Sequence, residues 1–162
     1  MRTRTFALLA ITTVVSVLAL DSIAQAADNQ VGTWKLNVAK SKYSPGPPPK
    51  EMMVRVKSQP NGIKVTAHGA NAEGQPIHYE FSAKYDGKEY SITGNAEADT
   101  VSIKKIDKYT NESSTKKGGK PLLTTRIVLS KDGKMRTNTQ TGKNAKMPGC
   151  EQHHRVREAM NS

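Results

Sequence analysis

The chain has 162 residues, a formal net charge of +11, 35% hydrophobic residues and only 5% aromatic residues. This length and composition fit one domain with a modest core. A single cysteine excludes an intramolecular disulfide, so strand pairing and core packing must hold the fold. The excess of positive charge favours anionic partners and says nothing about the fold.

Residues 1–26 have the pattern of a secretory signal peptide. Two arginines precede an apolar run over residues 6–20, and Ala24 and Ala26 supply the small residues of a cleavage site. The run is shorter than the ~20 residues that span a bilayer. We therefore expect cleavage, a periplasmic or secreted protein, and no transmembrane segment after cleavage.

The first structured signal in the mature chain surrounds Trp34, the only tryptophan. Trp34 and Leu36 alternate with Thr33 and Lys35, which predicts a half-buried strand. We interpret Trp34 as a core residue at one end of a sheet, with a ligand contact as the alternative. The Pro-rich residues 45–49 then predict an extended link and not a ladder strand.

Residues 51–141 predict an up-and-down meander of short strands, because apolar and polar residues alternate with a period of two. Pairs that tolerate positive φ mark the turns: Asn61-Gly62, Glu73-Gly74, Asp86-Gly87, Gly94-Asn95, Gly118-Gly119 and Asp132-Gly133. The pattern predicts an all-β domain over residues 27–146 with about eight to nine antiparallel strands. A sheet of that size is expected to close into a small barrel that covers its edges.

Three stretches of the meander carry further predictions. Residues 108–117 are polar enough to predict a weak or edge strand. Residues 122–129 are apolar on both sides over part of their length, which predicts a central strand. The last predicted strand, over residues 134–141, has Met135, Thr137 and Thr139 on one side.

The Gly32-x-Trp34 strand followed by a simple meander resembles the calycins, the group of lipocalins and fatty-acid-binding proteins. Several longer sequence motifs resemble those of small exported bacterial proteins that are described as lipocalin-like. These motifs lie at residues 32–37, 39–42, 45–49, 83–88, 93–95 and 130–134. The first resemblance implies a lipocalin-like barrel whose interior receives an apolar or amphipathic small molecule. The second implies no particular activity. The chain lacks the cysteine pair that many lipocalins carry.

The pattern changes at Met147. Residues 147–162 show no alternation and predict an irregular tail, which contains Cys150, His153 and His154. These three side chains invite a metal or nucleophile interpretation. A reading frame shifted by one base would instead encode an alternating strand, and our hypothesis is that the tail is frameshifted.

The sequence contains no motif of hydrolase, metalloprotease, phosphate-binding or redox chemistry. His68 and His78 are the only histidines outside the tail. We expect both to face solvent on successive strands, and a metal or acid–base site is the alternative. The lysines are spread along the chain with few aromatics among them, which argues against specific nucleic-acid binding. We therefore predict no enzyme activity, no metal and no cofactor.

The leading functional hypothesis is non-catalytic binding of a small apolar or amphipathic molecule inside the barrel. In a barrel of about eight strands, side chains fill the interior or leave room for one small ligand, and the sequence leaves both open. The alternative is an envelope or surface protein that binds an anionic polymer through its basic outer face. The candidate lining residues are Trp34, Val54, Val65, Tyr79, Phe81, Ile103 and Ile127.

Overall fold

One antiparallel sheet accounts for most of the chain. The computed structural model describes residues 28–43 and 46–142 in full and residues 150–154 by their backbone. Ten strands follow one another in a single sheet whose spatial order is the order of the chain. Its strands are β1 (Gly32–Lys35), β2 (Glu51–Gln59), β3 (Gly62–Ala70), β4 (Pro76–Lys84), β5 (Asp86–Thr93), β6 (Thr100–Lys105), β7 (Thr110–Lys117), β8 (Lys120–Leu129), β9 (Arg136–Gly142) and β10 (Cys150–His154).

The sheet curls into a nearly closed barrel. Nearest-neighbour connections bring the last strands round toward the first, and β10 contacts the 3-10 turn Val38–Lys40 that follows β1. Curling reduces the unpaired edge through which a flat sheet would associate with other chains. The predicted all-β fold, an antiparallel meander that forms a barrel, is confirmed.

The register of the ladders identifies the inner face of the barrel. Trp34 pairs with Val54, Val54 with Ala67, and Ala67 with Tyr79. Directly paired residues of antiparallel strands point to the same side, so these four side chains share one face. That face carries the core cluster of buried residues: Trp34, Val54, Val56, Ile63, Val65, Ala67, Ala83, Val101, Ile103 and Leu129.

Two of the predicted turns show why their residues are required. Gly118 and Gly119 have φ of 54° and 75°, the consecutive positive values of a two-residue hairpin turn between β7 and β8. Asn61, with φ of 61°, is the only non-glycine residue of the described chain at positive φ. Asparagine tolerates this region better than most residues, which makes it the natural turn residue between β2 and β3.

The structure differs from the sequence-based expectation at one strand of the meander and agrees with it at the next. Residues 108–117 were expected to be a weak or edge strand, but β7 pairs with β6 on one side and β8 on the other. Its polar composition therefore does not come from a position at the edge of the sheet. Polar side chains of β7 instead face the interior of the barrel. Residues 122–129 lie in β8, between β7 and β9, as expected of a central strand.

At the end of the chain, Cys150–His154 form β10 and pair with β9, within the segment predicted to be irregular. Five residues of the tail thus extend the sheet. The rest of the tail and the predicted signal peptide, residues 1–26, lie outside the described residues. Within the described ranges no helix is long and apolar enough to cross a bilayer.

Candidate functional site

The inner side of β1–β4 and β6 is apolar. Trp34, Val54, Val65 and Ile103 are buried there in one cluster. Tyr79 and Phe81 pack against this cluster but are only partly buried. We call this surface the apolar wall and define it by the side chains Trp34, Val54, Val56, Val65, Ala67, Tyr79, Phe81 and Ile103.

The inner side of β7–β9 is mostly polar. The register pairs Asn111 with Ile127 and Ile127 with Asn138, so the two amides flank the apolar side chain of Ile127 on this face. Buried amides are costly unless they are hydrogen-bonded, yet Asn138 Oδ1 has no partner among the described residues. We call this surface the polar wall; its members are Asn111, Ser113, Thr115, Thr125, Arg136 and Asn138.

Arg136 is the most unusual residue of the polar wall. It is the first residue of β9 and pairs with the buried Leu129 of β8, which directs it inward with an exposed fraction of only 7%. Its guanidinium carbon lies 6.0 Å from the centroid of the Trp34 ring. The Nε and Nη1 groups have no hydrogen-bond partner among the described residues.

The charge of Arg136 is uncompensated in the described part of the barrel. The ion pairs found there join Lys64 to Glu80, Lys116 to Glu89 and Lys117 to Asp99, all of them partly exposed and none of them involving Arg136. Burial lowers the pKa of Arg136 to about 10, and the charges that Tyr79 and Tyr85 would carry when ionised oppose this only in part. A buried guanidinium that has unpaired donors and no carboxylate partner among the described residues would be stabilised by a bound anion.

Residues 28–31 cross the end of the barrel at which Arg136 lies. Trp34 Nε1 donates a hydrogen bond of 3.0 Å to the Gln30 carbonyl oxygen, and Gln30 is itself buried. The Tyr85 hydroxyl donates to the Asp28 carboxylate. These bonds tie the segment to β1 and to the β4–β5 turn, so this end, which we call the plugged end, is covered.

The Tyr85 contact predicts how stability depends on pH. Burial raises the pKa of Tyr85 above the ordinary 10.0, and the hydrogen bond to Asp28 and the charge of that carboxylate raise it further. The unfolded chain therefore releases this proton first, and the free energy of unfolding should fall as the pH rises above about 10. Tyr85→Phe removes the titrating group, so its unfolding free energy should fall less between pH 9 and pH 11 by urea denaturation.

The Tyr85→Phe protein should also be less stable than the wild type at pH 7, by about 1–2 kcal/mol, because a hydrogen bond to a carboxylate is lost. Tyr109→Phe is a suitable control at a partly buried tyrosine. An alkaline decline as steep in Tyr85→Phe as in the wild type would contradict the assignment.

The barrel wall is incomplete between β4 and β5. The ladder between these two strands contains only the pairs Glu80–Thr93 and Phe81–Ile92, whereas β3 and β4 pair along their whole length. Phe81 and Ile92 face inward beside this junction and are only partly buried. The apolar wall is therefore partly exposed to solvent beside this junction.

The seven predicted site residues lie on β1–β4, β6 and β8. All seven belong to the inner face: Trp34, Val54, Val65, Ile103 and Ile127 are buried, and Tyr79 and Phe81 are partly buried. Whether they contact a ligand stays a prediction. Arg136, Asn111 and Asn138 are not among the predicted site residues. The alternation of large polar residues through β9 is the sequence signal that points to Arg136 and Asn138.

His68 and His78 are brought together on the outer face. They are directly paired across β3 and β4, both are exposed, and their Nδ1 atoms lie 3.0 Å apart. Their ring centroids are 4.6 Å apart with an interplanar angle of 37°. Within the described ranges, no group of three or more His, Cys, Asp and Glu side chains is arranged to hold a metal ion.

Comparison with protein-family models, with curated proteins and with solved structures finds no match for this chain.

Proposed function

We propose that the barrel binds one small amphipathic molecule, without altering it chemically, and holds the anionic end of that molecule at Arg136. The observation that carries the proposal is the buried guanidinium, two of whose donor groups have no partner in the described part of the chain. An anionic oxygen at this position would accept charge-assisted hydrogen bonds, which are about twice as strong as neutral ones.

The two walls support the same orientation of the ligand. The polar wall would surround the charged group near the plugged end, and the apolar wall would cover a hydrocarbon portion that extends from it. Burial of apolar surface gives roughly 25 cal/mol per Å², so the hydrocarbon would supply most of the affinity and Arg136 the selectivity. The β4–β5 junction beside Phe81 and Ile92 is the access route that fits this arrangement.

A titration with two matched probes tests the proposal. A medium-chain alkyl carboxylate and the alcohol of the same chain length are added separately, and binding is followed by the fluorescence of Trp34, the only tryptophan. Because the ring lies 6.0 Å from the Arg136 guanidinium carbon, a bound head group should change its emission. We expect one carboxylate per chain, bound about 10- to 100-fold more tightly than the alcohol, as one charged hydrogen bond would give.

Salt separates this proposal from binding of an anionic polymer to the outer face. Raising the ionic strength from about 0.05 to about 0.5 M should weaken a contact with exposed lysines steeply and a contact inside the barrel much less. Equal affinity for the two probes, or carboxylate binding that disappears in salt, would overturn the proposal and favour the basic face.

The natural ligand can be sought directly on protein purified from its own cell envelope. Mass spectrometry under native conditions should show the chain plus a small anionic molecule, and denaturing conditions should show the chain alone. A retained molecule without an acidic group would contradict the role given to Arg136, while leaving a carrier role in place.

A further inference from the structure

A second potential site lies on the outer face, where three ligand-type side chains form a row across three strands. Met53 on β2 pairs directly with His68 on β3, and His68 pairs with His78 on β4. Paired residues have Cβ atoms ~4.5–5.5 Å apart, so the three side chains are near neighbours. The Met53 side chain is 40% exposed, an apolar group left in solvent beside two imidazoles.

The separation of the two imidazole nitrogens suits one shared metal ion. Two nitrogens that are each ~2.0–2.1 Å from an ion lie ~2.9 Å apart at a right angle and ~3.3 Å apart at the tetrahedral angle. The Nδ1 atoms of His68 and His78 are joined by a hydrogen bond of 3.0 Å, a separation between these two values. A metal ion would replace the shared proton: the imidazole that donates would carry its proton on Nε2 instead. A small rotation about χ2, a soft torsion, would then turn both Nδ1 lone pairs onto one ion.

We propose that His68, His78 and Met53 form a copper site on the outside of the barrel. Among divalent first-row metals, affinity for a nitrogen site is highest for Cu²⁺, and a thioether adds preference for the softer Cu⁺. Two imidazoles and a thioether are therefore a donor set that favours copper over zinc or nickel. The site is separate from Arg136, which lies on the inner face.

The charged neighbours of the site act in opposite directions. Lys35 on β1 pairs with Met53 and continues the row, so its ammonium opposes a cation. Glu80 lies two residues beyond His78 on the same face of β4, where its carboxylate pairs with Lys64 at 3.1 Å. A bound cation would therefore be repelled by Lys35 and attracted by Glu80.

Copper titration of the full chain tests the site. The tail residues Cys150, His153 and His154 are also metal ligands by type, so the titrations use a background chain that carries Cys150→Ser, His153→Ala and His154→Ala. We expect one Cu²⁺ per chain, a spin-resonance spectrum with nitrogen ligands, and weaker binding of Zn²⁺ and Ni²⁺. His68→Ala and His78→Ala should each lower Cu²⁺ affinity by at least ~10-fold.

Matched variants assign each ligand. Thr66→Ala changes the outer-face residue two positions before His68 and should leave Cu²⁺ affinity unchanged. Met53→Leu keeps the apolar volume, so it should leave Cu²⁺ binding nearly intact and weaken Cu⁺ binding by ~10-fold or more, because only the soft donor is lost. Circular dichroism verifies that each variant is folded.

Three results would overturn the proposal: Cu²⁺ affinity equal in His68→Ala and the background chain, tighter binding of Zn²⁺ than of Cu²⁺, or Cu⁺ affinity that ignores Met53→Leu. If the background chain does not fold, the chain with its native tail is used instead. Paramagnetic broadening of amide signals by Cu²⁺ should then centre on β3 and β4, and broadening absent from these strands would overturn the proposal equally.

Discussion

Arg136→Met should raise the stability of the ligand-free protein and remove its preference for anionic amphiphiles. A buried donor without a partner costs about 1–3 kcal/mol, and replacing a buried charge by an apolar side chain of similar length is often stabilising. We expect the free energy of unfolding to rise by about 1–3 kcal/mol, with the melting temperature rising by roughly 4 °C per kcal/mol in a domain of this size.

One contact opposes this gain. The guanidinium carbon lies 6.0 Å from the Trp34 ring centroid, and a desolvated cation–π contact stabilises by about 2 kcal/mol. The cost of the charge is larger, because burial disfavours the charged form and lowers the pKa of Arg136 to about 10, and because two buried donor groups lack a partner among the described residues, at about 1–3 kcal/mol each. Methionine also keeps a favourable sulfur–aromatic contact with the ring, so the net change should be a gain.

Urea denaturation without ligand and the paired carboxylate and alcohol titrations measure the two effects. Arg126→Met is the matched control, since Arg126 is an exposed arginine on β8 and its loss removes the same net charge. The control should keep both the stability and the selectivity of the wild type. A destabilised Arg136→Met protein that still prefers the carboxylate would show that Arg136 supports the fold and does not hold the ligand.

The strands were largely predictable because their period-two alternation is a local property. Each of the predicted strands from residue 51 onward has a counterpart among β2–β9, and the glycine turn pairs stand at or beside the connections. The role of β7 was not predictable in the same way. Asn111, Ser113 and Thr115 resemble a solvent-facing edge strand until the pairing with β6 and β8 directs them into the barrel.

The candidate site was less predictable than the fold for a related physical reason. Apolar alternation is the sequence signal for an inner face, and the seven lining candidates chosen by this signal lie on the inner face. Arg136 belongs to a strand, β9, in which both sets of alternating residues are polar. The sequence of that strand alone does not determine which set faces the interior. Its position depends on the pairing of Arg136 with Leu129 and on curvature that brings β9 within reach of Trp34, both of which are long-range properties.

Trp34→Ala should cause the largest loss of stability of any single change considered. Trp34 is 1% exposed and belongs to the core cluster, and truncation of a buried tryptophan to alanine costs about 3–5 kcal/mol. The change also removes the donor to the Gln30 carbonyl oxygen, which loosens the segment that covers the plugged end. Since a domain of this size has about 5–15 kcal/mol of stability in all, the variant should be partly unfolded near 37 °C.

Trp34→Phe separates packing from the hydrogen bond, because it keeps an aromatic ring in the core and removes only the indole donor and part of the volume. Its cost should be about 1–2 kcal/mol, well below that of alanine. Far-UV circular dichroism must follow unfolding, since neither variant has a tryptophan left to fluoresce. Similar losses in the two variants would place the main role of Trp34 in anchoring residues 28–31, and a small loss in both would mean that the ring is not part of the core.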